Sequence, residues 1–125
     1  MKLDGHHVLI VEDEILIAMD LADIVRDAGA EVVGLAGSTQ QAMSLIGTHC
    51  ITVAILDVQL GKENSDEVAN RLGISNIPFI FHTGGPVKKL GPSHWPHAPL
   101  ISKPATSATI VAALAKVAKL PVPSF

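Results

Sequence analysis

The stretch His7-Val8-Leu9-Ile10-Val11, followed at once by Glu12-Asp13-Glu14, decides how the rest of the chain is read. The run 7–11 is short, rich in β-branched residues and apolar on consecutive positions. That pattern suits a strand buried on both faces, as in a parallel sheet. Downstream, Ile17, Leu21, Ile24 and Ala28 recur at helical spacing, with Asp20, Asp23 and Asp27 on other faces. Gly29 stands where a helix C-cap belongs. The alternation then repeats. Strands are predicted over 31–35, 52–56, 78–81 and 100–102. Helices are predicted over 38–46, with Ser38 as N-cap, over 65–72, and after Ser107 as the cap of a last helix, where Ile110, Leu114 and Val117 form a core stripe. Five strands alternating with helices predict an α/β fold: a parallel sheet with right-handed crossovers and helices on both faces.

Length and charge narrow the function. One domain over 1–125, with its core at about 6–120, is expected from 125 residues, and a domain of this size folds without metal or disulfide staples. Nine Lys+Arg against twelve Asp+Glu leave a net charge of −3, which argues against a nucleic-acid partner. The lone Cys50 rules out an internal disulfide and reads as buried packing in a cytoplasmic protein. No apolar run approaches the roughly 20 residues that cross a bilayer, and the polar N-terminus lacks a signal-peptide core. Between 84 and 99 the chain holds Gly84, Gly85, Pro86, Gly91, Pro92, Pro96 and Pro99, so an irregular loop is expected, with at most a helical turn around 87–90. The tail 121–125, with two prolines, is expected to fray.

In an open parallel sheet, ligands bind beyond the carboxyl ends of the strands. The polar residues there are Glu12-Asp13, Asp57, Thr83 and Lys103. Two carboxylates about 4 Å apart repel by roughly 4 kcal/mol at an effective dielectric near 20, so three acids in one cleft call for a cation. Hard oxygen ligands without histidine or thiolate select Mg²⁺ over zinc. Asp57 then has an oxygen able to attack phosphorus. The Lys103 ammonium and the Thr83 hydroxyl would stabilise the equatorial oxygens, and Gly84 would leave room for the phosphoryl group. Blander readings hold elsewhere. His94 and His97 are loop residues, since Pro96 prevents the continuous helix that a shared metal would need. His82 is a satisfied packing histidine, and Trp95 is a partly buried loop anchor.

This layout resembles the receiver domain of two-component response regulators. The resemblance rests on V-L-I-V-E-D-E, I-L-D-V-Q-L, F-H-T-G-G and I-S-K-P, in that order. It implies a flavodoxin-like, doubly wound five-stranded sheet of order 2-1-3-4-5. It further implies Asp57 as the phosphorylated residue and Mg²⁺ bound by Asp13, Asp57 and the backbone carbonyl of Gln59, with Glu12 acting through a metal-bound water. Thr83 would move toward the phosphoryl group, Lys103 would pair with it, and the Lys103–Pro104 peptide would be cis. Most receivers carry an aromatic residue where this chain has Leu100. The segment Pro78-Phe79-Ile80-Phe81-His82-Thr83-Gly84-Gly85 is instead similar to the receiver subgroup with the motif P-F-x-F-A-T-G-Y-G, which lacks that aromatic and has a degenerate fourth helix; here His82 replaces its alanine and Gly85 its aromatic residue.

The expected function is therefore a single-domain phosphoacceptor switch with no output domain, not a conventional enzyme. Its phosphorylation and dephosphorylation would be self-catalysed. It would be loaded by a sensor histidine kinase of the HWE or HisKA2 type, and it would signal by binding a downstream protein or by phosphorelay through the 85–99 loop. A haloacid-dehalogenase-type phosphatase needs a second aspartate two residues after the nucleophile, where this chain has Gln59. A degenerate receiver that acts as an unphosphorylated interaction module is the remaining alternative.

Overall fold

The computed structural model describes residues 1–84, 95 and 98–118. The chain runs β1 (His7–Val11), α1 (Ile15–Asp27), β2 (Glu31–Ala36), α2 (Thr39–Thr48), β3 (Val53–Leu56), β4 (Gln59–Leu60), β5 (Glu63–Asn64), α3 (Asp66–Ile74), β6 (Phe79–Thr83), β7 (Leu100–Ser102) and α4 (Ser107–Ala118). The long strands form one parallel sheet of order β2-β1-β3-β6-β7, which is 2-1-3-4-5 when they are counted along the chain. The central strands are apolar at consecutive positions because both their faces are covered. Val8, Ile10, Val53, Ile55 and Ile80 pack with α1 and α4 on one face. Leu9, Val11, Ala54, Leu56, Phe79 and Phe81 pack with α2 and α3 on the other.

Helix ends follow local chemistry. Ser38 accepts a hydrogen bond from the Gln41 amide, as a cap should. Gly29 lies just past α1 at φ 100°, and a Cβ there would sit 1.9 Å from Asp4 Oδ1. Both facts require glycine. The last helix departs from expectation. Its cap is Thr106, whose Oγ1 accepts from the Thr109 amide, and Ser107 is already helical. A threonine and a serine stand side by side, and only backbone direction decides which one caps.

Other expectations also shift. Helix α1 begins at Ile15, leaving Ile15, Leu16 and Met19 exposed. Strand β6 runs through Thr83, which puts His82 and Thr83 inside the strand. The β4–β5 hairpin was not expected; it turns at Gly61, whose φ of 59° glycine supplies without strain. Leu3 is fully buried, and its amide donates to Ala28 O, so the packed region starts before β1. Cys50 is exposed, not buried, because α2 ends at Thr48 and the chain turns outward before β3. Trp95 is half-buried as expected, edge-on to Phe79 at 5.7 Å and seated against Gly73. Residues 85–94 and 96–97 of the expected irregular loop, which include His94 and His97, and the tail 121–125 lie outside the described residues. Among the described residues, no helix is long and apolar enough to cross a membrane.

Candidate functional site

Sheet geometry brings the chemistry together. Three ladder hydrogen bonds continue one residue past the strands. The Glu12 amide donates to Ala36 O at 2.9 Å, the Asp57 amide to Val11 O at 3.0 Å, and the Lys103 amide to Thr83 O at 2.8 Å. Each tie holds a charged side chain at the carboxyl edge of the sheet, so residues far apart in sequence share one hollow. Gly84 follows Thr83, and a Cβ there would lie 3.3 Å from Lys103 Cδ. The space that glycine leaves is thus taken by the lysine stem.

Lys103 Nζ donates to Glu12 Oε1 at 2.5 Å and to Asp57 Oδ2 at 2.9 Å. The Glu12 side chain is 1% exposed, that of Asp57 9% and that of Lys103 16%. Glu12 Oε2 accepts from the Glu14 amide, and Asp57 Oδ1 accepts from the Gln59 amide at 3.2 Å. The Gln59 amide contact was not anticipated from the sequence, and only the turn after β3 creates it. Asp13 is exposed at the rim, yet its carboxylate lies within 4.8 Å of those of Glu12 and Asp57. Thr83 is buried at the end of β6, one strand over from Asp57.

The electrostatics follow from this crowding. Burial pushes the Glu12 carboxyl up to about 7, and the neighbouring Asp57 charge adds to the rise, while hydrogen bonds from Lys103 and the Glu14 amide partly offset it. Burial works against the Lys103 charge, but hydrogen bonds to Glu12 and Asp57 outweigh it and hold its pKa above the ordinary lysine value. One ammonium against three carboxylates leaves the hollow short of positive charge. The donors are all hard oxygens, so the group fits a divalent cation of the Mg²⁺ kind.

His82 departs from the sequence expectation. It is buried as expected but not satisfied, because neither ring nitrogen has a hydrogen-bond partner among the described residues. A strand position between apolar neighbours looked like packing, and nothing in the local sequence signals a missing partner.

A five-stranded parallel sheet of this order, with acids and a lysine gathered at its carboxyl edge, is the build of a response regulator receiver, and the chain belongs to that family. The solution structure of SdrG from Sphingomonas melonis Fr1 is 37% identical, at TM-score 0.79, with 94% of this chain and 98% of that chain covered. The receiver domain of the response regulator PhyR from Erythrobacter litoralis is 27% identical at TM-score 0.76, covering 94% and 92%. The phyllosphere-induced regulator PhyR of Methylorubrum extorquens is 35% identical over 112 residues, 87% of this chain and 42% of that protein. The chain thus spans less than half the length of the regulators it matches by sequence. No family model matches it.

Proposed function

We propose that this receiver is a phosphorylation switch in which Asp57 accepts a phosphoryl group from the phosphohistidine of a sensor kinase. The observation that carries the reading is the Lys103 ammonium bridging Glu12 and Asp57, with Asp13 at the rim. In the transfer, an Asp57 carboxylate oxygen forms the new O–P bond. The N–P bond to the donor imidazole breaks, and its electron pair returns to the ring nitrogen. For Asp57 Oδ2 to attack, Lys103 must leave that oxygen; its second bond, to Glu12, keeps it in the hollow, ready to pair with a phosphoryl oxygen. Thr83, at the end of the adjacent strand, supplies a hydroxyl to the same group. Asp13, Asp57 and the Gln59 carbonyl would hold Mg²⁺, with Glu12 reached through a water. Bound there, the ion supplies positive charge for the developing phosphoryl oxygens.

The P-F-x-F and T-G elements of 78–84, with Leu100 replacing an aromatic residue, favour the P-F-x-F-A-T-G-Y-G subgroup and so a donor of the HWE or HisKA2 kinase type, with output by binding a protein or by relay. Leu100 is 41% exposed in β7, a position open to a partner and without the ring that most receivers move. Profiling autophosphorylated kinases of several types against this chain tests it. Rapid transfer from HWE or HisKA2 kinases is expected, and preference for another kinase type would reject the assignment.

A further inference from the structure

His82 is a buried polar side chain that neither the fold nor the proposed chemistry uses. It is 5% exposed. Strand alternation puts it on the sheet face of Ile80, which α1 and α4 cover, while Thr83 faces the other way. Neither Nδ1 nor Nε2 has a partner among the described residues. Burial, with Lys103 second, lowers its proton affinity, so the ring is neutral at pH 7: one nitrogen is a donor, the other an acceptor, and both have lost water. Buried polar groups are overwhelmingly paired, and an unpaired one in a native structure calls for a reason. An aliphatic side chain would pack here without that penalty.

The position suggests the reason. His82 directly precedes Thr83, whose carbonyl is tied to the Lys103 amide. A displacement of Thr83 toward Asp57 therefore drags His82. Asp20 on α1 is an acidic group whose field already reaches the ring. We propose that His82 is a positioning residue for Thr83: its unpaired imidazole disfavours the resting strand end relative to a shifted one, in which the ring gains a hydrogen-bond partner, with the Asp20 carboxylate as that partner. The proposal rests on the phosphoacceptor reading of Asp57 and adds the element that biases its two states.

Nitrogen-15 spectra of the histidine rings test it, recorded on Mg²⁺-loaded protein with and without beryllofluoride. The expected result is a resting His82 ring whose nitrogens show no hydrogen bonds, and at least one hydrogen-bonded nitrogen after beryllofluoride. Asp20→Asn should weaken that second signature. His82→Leu should melt higher at rest and need roughly tenfold more beryllofluoride for half-conversion, the scale of one desolvated unpaired group. His82→Ala supplies the same titration should the leucine variant fail to fold. Ring nitrogens already hydrogen-bonded at rest, or unchanged while the Asp57 and Thr83 amides respond, would overturn the role of His82 alone. Silent Asp57 and Thr83 amides would overturn the phosphoacceptor reading and this role with it.

Discussion

Glu12 carries the most displaced acid in the described molecule, and its effect on stability has a definite sign. Its folded pKa is about 7, above the 4.5 of the free side chain, because the site is buried and Asp57 lies beside it. Between these values the folded protein holds a proton that the unfolded chain releases. Stability therefore falls as pH rises from 4.5 to 7 in protein free of divalent metal. The buried rings of His6 and His82 act in the opposite direction. Burial lowers both, so acidification below 6.5 charges the unfolded state first and lowers stability. The two contributions overlap, and the difference between wild type and Glu12→Gln isolates the acid. Wild type is expected to lose stability relative to the variant as pH rises from 4.5 to 7, measured by denaturant titration across that range. A flat difference would contradict the assigned burial of Glu12. Asp57 is tested more simply: Asp57→Asn keeps the side-chain shape and should remain unmodified by any phosphoryl donor.

At the scale of elements, the strand ends, the Ser38 cap and the Gly29 helix stop were legible, and the cap of the last helix was not. Val8 to Val11 and Val53 to Leu56 are apolar on every position, and that alone marks them as central and parallel. Once the strands are placed, Glu12, Asp57, Thr83 and Lys103 must share one edge. Chain direction at turns is harder to read. Thr106 and Ser107 are both good cap residues, and the structure selects Thr106. Thr106→Ala should cost about 1 kcal/mol, while Ser107→Ala should change stability by less than about 0.5 kcal/mol, read from urea midpoints. Equal effects would return the cap to Ser107. Gly29 offers a second check. A side chain at φ 100° that also meets Asp4 should cost at least about 1–2 kcal/mol in Gly29→Ala, seen as a lower melting temperature. The β4–β5 hairpin escaped the sequence reading because two-residue strands carry no detectable alternation. Leu3, alone among polar neighbours, gave no periodic signal either.

For the whole molecule, charge balance at the carboxyl edge of the sheet governs: three carboxylates face one ammonium. An added divalent cation that binds the folded state alone should stabilise it by mass action, about 2.7 kcal/mol at a hundredfold excess over its dissociation constant. The melting temperature should rise with millimolar Mg²⁺ in wild type and much less in Asp13→Asn, by calorimetry. The convergence of Asp13, Asp57 and Lys103 was readable because strand order forces it. The orphaned ring of His82 and the outward turn of Cys50 were not, since both depend on what packs across from them. The most direct measurement is intact mass after incubation with acetyl phosphate and Mg²⁺, followed by peptide mapping. The expected result is a gain of one phosphoryl unit, mapped to Asp57, absent without Mg²⁺ and absent in Asp57→Asn. A wild-type chain that never gains the unit, or a gain that survives in Asp57→Asn, would contradict it.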